Sequence, residues 1–226
     1  MDDKNWVDLD DESLESIVLD FRFAEIQHEL YALEQHRLAT EAQLASILET
    51  SRERLREVVT DDDEDIVTDQ LRWVDNFIDD EMPRFFRYPI LVSLWAIFEA
   101  AARDISEDIR KRSGQRLTID DLKGRDTLDQ TKKYFEQVVR FPLVASDESL
   151  RYLRMLLTLR NAIAHGNGRK DAIRESTWHK IESWNEAGIG TEYGFLTFTA
   201  DFIERMVQVV SDSLKELIER AKVDSN

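Results

Sequence analysis

The fold is decided by residues 88–102, which read Tyr-Pro-Ile-Leu-Val-Ser-Leu-Trp-Ala-Ile-Phe-Glu-Ala-Ala-Ala. Ser93 and Glu99 are the two polar side chains between Pro89 and Ala102. Apolar side chains therefore point in all directions around a helix, and a helix of this kind is buried on every side. The stretch predicts a central helix over about residues 86–112, which ends at Gly114.

Helical periodicity also dominates the sequence on both sides of this central helix. Glycine and proline, the residues that end helices and build turns, number only 7 and 3 in 226 residues. This scarcity argues against a sandwich, barrel or propeller, where every strand ends in a turn. Further helices are predicted at about residues 12–59, 64–81, 127–140, 148–165, 172–186 and 199–222, with a short strand at Phe195–Phe198 near the glycines of a hairpin or loop. The expected fold class is all-α, an antiparallel helical bundle with short connections and a long N-terminal helix.

The long helix at residues 12–59 has a stripe that recurs every 3.5 residues. Its members are Leu14, Ile17, Phe21, Ala24, His28, Tyr31, Gln35, Leu38, Ala42 and Ala45. At 1.5 Å per residue the helix would be roughly 65–70 Å long, which is longer than a domain of this size is wide. We therefore expect part of it to pack against a partner chain or to project as an arm. Residues 1–84 are predicted to be a dimerisation or docking arm, with an acidic loop or helix start at 61–65, and residues 85–226 the main helical domain.

The composition excludes several classes of function. The chain has no cysteine, which excludes disulfides and thiolate chemistry, and its four scattered histidines leave little for a metal site. We therefore expect neither a metal nor a cofactor. The N-terminus is acidic and no stretch of about 18 apolar residues occurs, so the sequence predicts a cytoplasmic protein without a membrane span. The net charge of −17 disfavours broad binding to polyanions, so that any contact with RNA needs a local basic patch.

Residues 149–174 form such a patch, with six basic residues against one acidic residue. Within it, Arg160 and His165 lie at the predicted end of a helix that is followed by Gly166. A guanidinium group can bind a phosphate with two hydrogen bonds, and an imidazole can act as general base and acid near neutral pH. The two residues are five apart, about 140° around an ideal helix. They serve one site if the helix unwinds at its end or if each joins a pocket formed with something else, which a homodimer would provide.

The segment Leu159-Arg-Asn-Ala-Ile-Ala-His-Gly166 resembles the motif of the HEPN superfamily, an arginine, a polar residue after it and a histidine five residues beyond the arginine. These are small α-bundle proteins, and many are metal-independent endoribonucleases that act as dimers in toxin–antitoxin, phage-defence and RNA-processing systems. The resemblance covers roughly residues 85–222. It implies that Arg160 orients and stabilises the scissile phosphate, and that His165 handles the proton of the 2′-hydroxyl or of the leaving group. It also implies that Asn161 shapes the turn or touches the phosphate.

The reaction that the resemblance implies is attack of an RNA 2′-hydroxyl on its own phosphate, which leaves a 2′,3′-cyclic phosphate without a metal. The expected partners are an RNA substrate, a second copy of the chain, and an antitoxin or another defence protein. Arg154, Arg169 and Lys170 of the basic patch are expected to contact the RNA. The alternative is a non-catalytic HEPN-type module that binds RNA or a protein.

Glu99 is a supporting candidate because a carboxylate on a buried helix needs a cationic partner. We expect it to pair with Arg160 and to fix the rotamer of that side chain. A structure in which Glu99 has another partner would remove this role.

Overall fold

The computed structural model describes residues 11–59 and 64–223. The helices of this part are α1 Asp11–Glu57, α2 Glu64–Asn76, α3 Met82–Ser113, α4 Thr127–Lys133, α5 Asp147–Gly166, α6 Glu175–Ser183 and α7 Ala200–Val223. Wider π-helical turns at Phe77–Glu81 and Tyr134–Val139 continue α2 and α4. A single antiparallel hairpin joins β1 (Ile189–Glu192) to β2 (Phe195–Phe198). The predicted all-α class is confirmed, and so is the strand at residues 195–198.

The central helix is α3, as the sequence predicts, but it is not buried on every side. Pro89, Ser93, Ala96 and Ala100 are exposed along one face, because the larger apolar side chains lie on the other faces and small side chains gain little from burial. Leu91 and Leu94 are fully buried and Phe98 is 2% exposed. The helix packs against α1, α5 and α7, whose apolar faces join it in one core. At its end, Gly114 has a left-handed φ of 65° and donates its N–H to the carbonyl of Arg110. A residue without a Cβ adopts this conformation at little cost, which is why the helix ends there.

Successive long helices alternate in direction. Ion pairs between Arg22 and Asp104 (3.3 Å) and between Glu41 and Arg87 (2.8 Å) join opposite ends of α1 and α3. By contrast, α3 and α7 run in the same direction, since Arg87 donates to the carbonyl of Phe198 just before α7 and Arg112 donates to that of Ala221 near its end. The helix α5 runs in the opposite direction, since Gly168 just after its end approaches Tyr88 near the start of α3. The order of directions is therefore that of an up-and-down bundle.

The face of α1 that packs on the rest of the protein is not the predicted stripe. Phe21, Tyr31 and Leu38 of that stripe are 69%, 65% and 47% exposed, whereas Phe23 and Leu30 are 3% and 7% exposed. The buried stripe also includes Ile26, Leu33 and Leu44. Both stripes have the same spacing and are offset by two residues, about 200° of rotation. The predicted stripe therefore faces away from the core of its own chain, and its packing against a partner chain stays a prediction. The period alone does not identify which stripe the core buries, and here the core buries the one with the larger aliphatic side chains. The side chains of Leu14 and Ile17 lie outside the described residues.

The length of α1 is accommodated within the chain. Arg52 near its C-terminal end pairs with Asp79 in the π-helical turn before α3, and Arg22 pairs with Asp104 on α3 itself. The helix therefore lies along the combined length of this turn and α3. Residues on both sides of the predicted boundary at 84/85 belong to α3, and the buried stripe of α1 belongs to the common core. Residues 60–63, most of the predicted acidic loop, lie outside the described residues.

The helical run over residues 65–113 is long and apolar enough to cross a membrane by length and composition, with an 18-residue window of mean hydropathy 1.3. Of that window, 44% is buried inside the protein. The core helix of a soluble protein meets the same criterion. The absence of a membrane span and the cytoplasmic location therefore stay predictions.

Candidate functional site

The helix that carries the motif, α5, has both of its predicted ends. At the start, the hydroxyl of Ser146 accepts a hydrogen bond from the N–H of Ser149 at 3.0 Å, which is an N-cap. At the end, Asn167 takes a left-handed φ of 49° and donates to the carbonyl of Ile163 at 2.8 Å. These bonds satisfy backbone groups that the helix itself leaves free. The motif therefore lies in the last two turns of a well-terminated helix.

The hairpin and α3 hold this helix end in place. Leu196 on β2 donates its N–H to the carbonyl of Gly168 at 2.9 Å. The hydroxyl of Tyr88 on α3 donates to the carbonyl of Leu196 at 2.6 Å, and burial raises the pKa of Tyr88 to about 12. Gly168 has a φ of 65°, and a Cβ there would lie 2.1 Å from the Tyr88 hydroxyl. Only glycine fits between α5 and Tyr88 at this point.

The three predicted catalytic residues lie at the surface, with Asn161 and His165 exposed and Arg160 partly buried. Arg160 donates from Nη1 to Oδ1 of Asn161 at 3.0 Å. Asn161 and His165 are four residues apart, so they are neighbours on one face of the helix, and both are exposed. The hydrogen bond draws the Arg160 guanidinium toward that face, which reduces the separation of about 140° expected from an ideal helix. Because Oδ1 of Asn161 accepts, its amide N–H groups remain free to donate to a ligand.

Glu99 does not take part in this arrangement. Its Oε2 accepts a hydrogen bond from Nε1 of Trp95 at 3.0 Å, one turn earlier on α3. The carboxylate is partly exposed, so that it needs no buried cation. No ion pair joins Glu99 to Arg160 in the part of the chain that the structure describes, and the prediction of that pair was wrong. An indole N–H at i−4 satisfies the carboxylate within the same helix, so that no cation from another helix is required.

The three residues predicted to contact RNA differ in whether a neighbouring group compensates their positive charge. Arg154 is exposed on α5. Arg169 donates from Nε to Asp171 at 3.0 Å, and this carboxylate compensates its charge. Nζ of Lys170 lies 5.6 Å from the ring centroid of the buried Trp178. The attraction of the basic patch for an anion is therefore smaller than its sequence suggests.

Glu186 reduces the charge of the patch further. It accepts hydrogen bonds from Arg151 at 2.9 Å, from Arg205 at 2.8 Å and from the hydroxyl of Tyr152 at 3.0 Å. Burial acts to raise the pKa of Glu186, but the hydrogen bonds from Arg151 and Tyr152 and the two nearby guanidinium charges hold that pKa below its usual value. Glu186 lies 35 residues from Arg151, so no local sequence pattern indicates this pairing.

Lys180 on α6 is a further basic residue at this surface, and no motif in the sequence singles it out. Its Nζ donates to the hydroxyl of Thr158 on α5 at 3.2 Å and lies 5.8 Å from the ring centroid of Trp184. This places an exposed ammonium group beside the face of α5 that carries Asn161 and His165. The apolar side of α6 was visible in the sequence, but which residue of α5 lies beside Lys180 depends on how the two helices pack.

Comparison with known proteins gives no further guide to the site. No protein-family model matches the chain, and neither a curated protein nor a solved structure was found to match it. Across the described residues, no group of three or more histidine, aspartate or glutamate side chains is placed to hold a metal ion.

Proposed function

We propose that the protein is a metal-independent endoribonuclease of HEPN type, with Arg160, Asn161 and His165 in its active site. The observation that carries the proposal is the contact between Arg160 and Asn161 at the exposed end of α5, one turn from His165. No carboxylate pairs with Arg160 or His165 in the described part of the chain. In a protein of net charge −17, such free cationic and imidazole groups favour a phosphate ligand.

The reaction needs one bond to form and one to break at phosphorus. The 2′-oxygen of a nucleotide attacks the adjacent phosphate while the bond to the 5′-oxygen of the next nucleotide breaks. The proton of the 2′-hydroxyl passes to a general base, and the departing 5′-oxygen takes a proton from a general acid. The products are a 2′,3′-cyclic phosphate and a 5′-hydroxyl. Arg160 and the amide of Asn161 would stabilise the negative charge that builds on the phosphate oxygens.

A second copy of the chain completes this scheme. The base and the acid act on opposite sides of the phosphorus, so a single imidazole cannot serve both at once. Two α5 ends that meet at a two-fold axis would supply one His165 for each role. They would also place two Arg160 guanidinium groups around one phosphate. The role we propose for the dimer is cytoplasmic, in toxin–antitoxin or phage defence, with a partner protein that restrains it.

The test is incubation of RNA with the purified protein in EDTA, followed by analysis of the ends. The wild type should yield 2′,3′-cyclic phosphates, and R160A and H165A should each cleave at least about 100-fold more slowly. H36A replaces an exposed histidine on α1 and is the matched control, which should keep full activity. Far-ultraviolet circular dichroism checks that each variant remains folded.

Two results would contradict the proposal. If the wild type binds RNA without cleaving it, the protein is a non-catalytic RNA-binding module. If H165A cleaves as fast as H36A, the activity does not come from this site.

A further inference from the structure

The face of α5 that carries His165 continues toward the start of the helix as a polar stripe. Arg154, Thr158, Asn161 and His165 follow each other at intervals of four, three and four residues, which is the spacing of one helix face. Arg154, Asn161 and His165 are exposed, and Thr158 is partly exposed. At 1.5 Å per residue the stripe is about 16 Å long. Successive polar groups therefore lie about 4.5–6 Å apart along the helix axis.

Lys180 adds a charge at the middle of this stripe. Its ammonium group donates to the neutral hydroxyl of Thr158, and no carboxylate among the described residues pairs with it. The Thr158 hydroxyl in turn donates to the carbonyl of Arg154 at 2.8 Å, so that its oxygen is free to accept from Lys180. An ammonium group has three donors, and after the bond to Thr158 two are left for a ligand. The structure thus fixes the position of Lys180 without neutralising it.

We propose that Lys180 and Arg154 bind the phosphates that lie beside the scissile phosphate on the RNA strand. This inference rests on the proposed function, which places the scissile phosphate at Arg160, Asn161 and His165. Lys180 contacts Thr158, which lies about one helical turn from Asn161 toward the start of α5. Arg154 lies about one further turn toward the start of the helix. These steps are on the scale of the spacing between neighbouring phosphates of an extended strand.

The chemistry of the two residues decides what they contribute. Lysine and arginine bind phosphates mainly as charges and carry no sequence information, so they position a strand and do not select its bases. Neither is close enough to the end of α5 to take part in proton transfer at His165. We therefore expect Lys180 and Arg154 to strengthen binding and to leave the chemical step unchanged.

The experiment measures the dissociation constant of a short fluorescent RNA at several salt concentrations, with every protein carrying H165A to prevent cleavage. K180A and R154A should each weaken binding by about threefold to tenfold at low salt. Each should also lower the salt slope of log K by about 0.7, which is the contribution of one neutralised phosphate on a single strand. K215A removes an exposed lysine of α7 and is the matched control, which should change neither quantity.

A second measurement uses the proteins with His165 intact. K180A should raise KM by the same factor as the dissociation constant and leave kcat within about twofold, because uniform binding energy is what it removes. A fall in kcat with unchanged KM would overturn the inference, since Lys180 would then act on the reaction and not on the flanking phosphates.

The possible failures are distinguishable. If RNA is cleaved and bound but K180A and R154A keep the affinity and salt slope of K215A, this inference fails and the proposed function stands. If the H165A protein binds no RNA and the wild type cleaves none, both fail. If polyglutamate competes for the site as well as RNA does, the stripe binds acidic protein segments, and the assignment to flanking phosphates is overturned.

Discussion

At the scale of single residues, the position of the motif depends on a glycine that has no part in the chemistry. Gly168 combines a φ of 65° with a close approach to the ring of Tyr88. Gly114 has the same φ of 65°, but a Cβ there would meet nothing within 4 Å. The two positions therefore share the backbone cost of a left-handed residue and differ in how closely other atoms pack around them.

We expect G114A to lower the free energy of unfolding by about 1 kcal/mol, the cost of a left-handed alanine. G168A should lower it by about 2–4 kcal/mol, because the added methyl also displaces the buried Tyr88 ring. Urea denaturation of both variants measures the difference. Equal losses would mean that the contact between α5 and Tyr88 is loose, and that the hairpin alone holds the end of the helix.

At the scale of elements, α1 carries two stripes of the same period on opposite sides, and one of them is buried. Phe23 is 3% exposed, whereas Phe21, two residues earlier, is 69% exposed. The two residues have the same side chain and occupy the same helix, so they form a matched pair for the orientation of α1. Truncation of a buried phenylalanine removes transfer energy and leaves a cavity, whereas truncation of an exposed one does neither.

F23A should lower the free energy of unfolding by about 3–5 kcal/mol, and F21A should change it by less than about 0.5 kcal/mol. Urea denaturation at two protein concentrations measures both values. A large loss in F21A that depends on protein concentration would show that the exposed stripe is buried in an assembly. If F21A and F23A lost the same free energy of unfolding at all protein concentrations, both faces of α1 would be packed within a single chain.

The sequence predicts those features of the fold that depend on composition or on neighbouring residues, and it does not predict which face of a helix is buried. Residues 88–102 carry a dense run of large apolar side chains, so α3 is predictable as a core helix from its composition. The exposed face at Ser93, Ala96 and Ala100 is not, because small side chains are compatible with either environment. Both ends of α5 are predictable from local sequence, because Ser146 at the start and Asn167 and Gly168 after the end act on neighbouring backbone groups. The face of α1 that meets the core is not predictable in this way, because two stripes of the helix share the same period.

In the candidate site too, contacts between residues close in sequence are predictable, whereas contacts between helices depend on how those helices pack. The bond between Arg160 and Asn161 joins adjacent residues, and their proximity is evident from the motif. Lys180 meets Thr158 across 22 residues, and this contact depends on the packing of α6 on α5. The partner predicted for Glu99 lies on another helix, whereas its actual partner, Trp95, lies one turn away on its own.

At the scale of the whole molecule, electrostatics make the two proposed associations respond to salt in opposite ways. These associations are the homodimer of a chain with net charge −17 and the complex with RNA. Two copies of an acidic protein repel each other, and the repulsion extends over about 30 Å at 0.01 M salt but only about 10 Å at 0.1 M. Added salt should therefore strengthen the dimer. Added salt should weaken the proposed binding of RNA to Arg154, Arg160 and Lys180, because the release of counterions is then less favourable.

The cleavage rate per protomer should therefore pass through a maximum as salt is raised, provided that the protein concentration lies near the midpoint of dimer dissociation. Light scattering on the same samples should show the mass rising from one copy toward two along the ascending side. On the descending side the mass should stay constant while the affinity of the H165A protein for RNA falls. A rate that only falls with salt, at a mass that never exceeds one copy, would show that one protomer cleaves alone. The two imidazole groups would then have no shared phosphate on which to act, and base and acid would both have to come from the surface of a single α5.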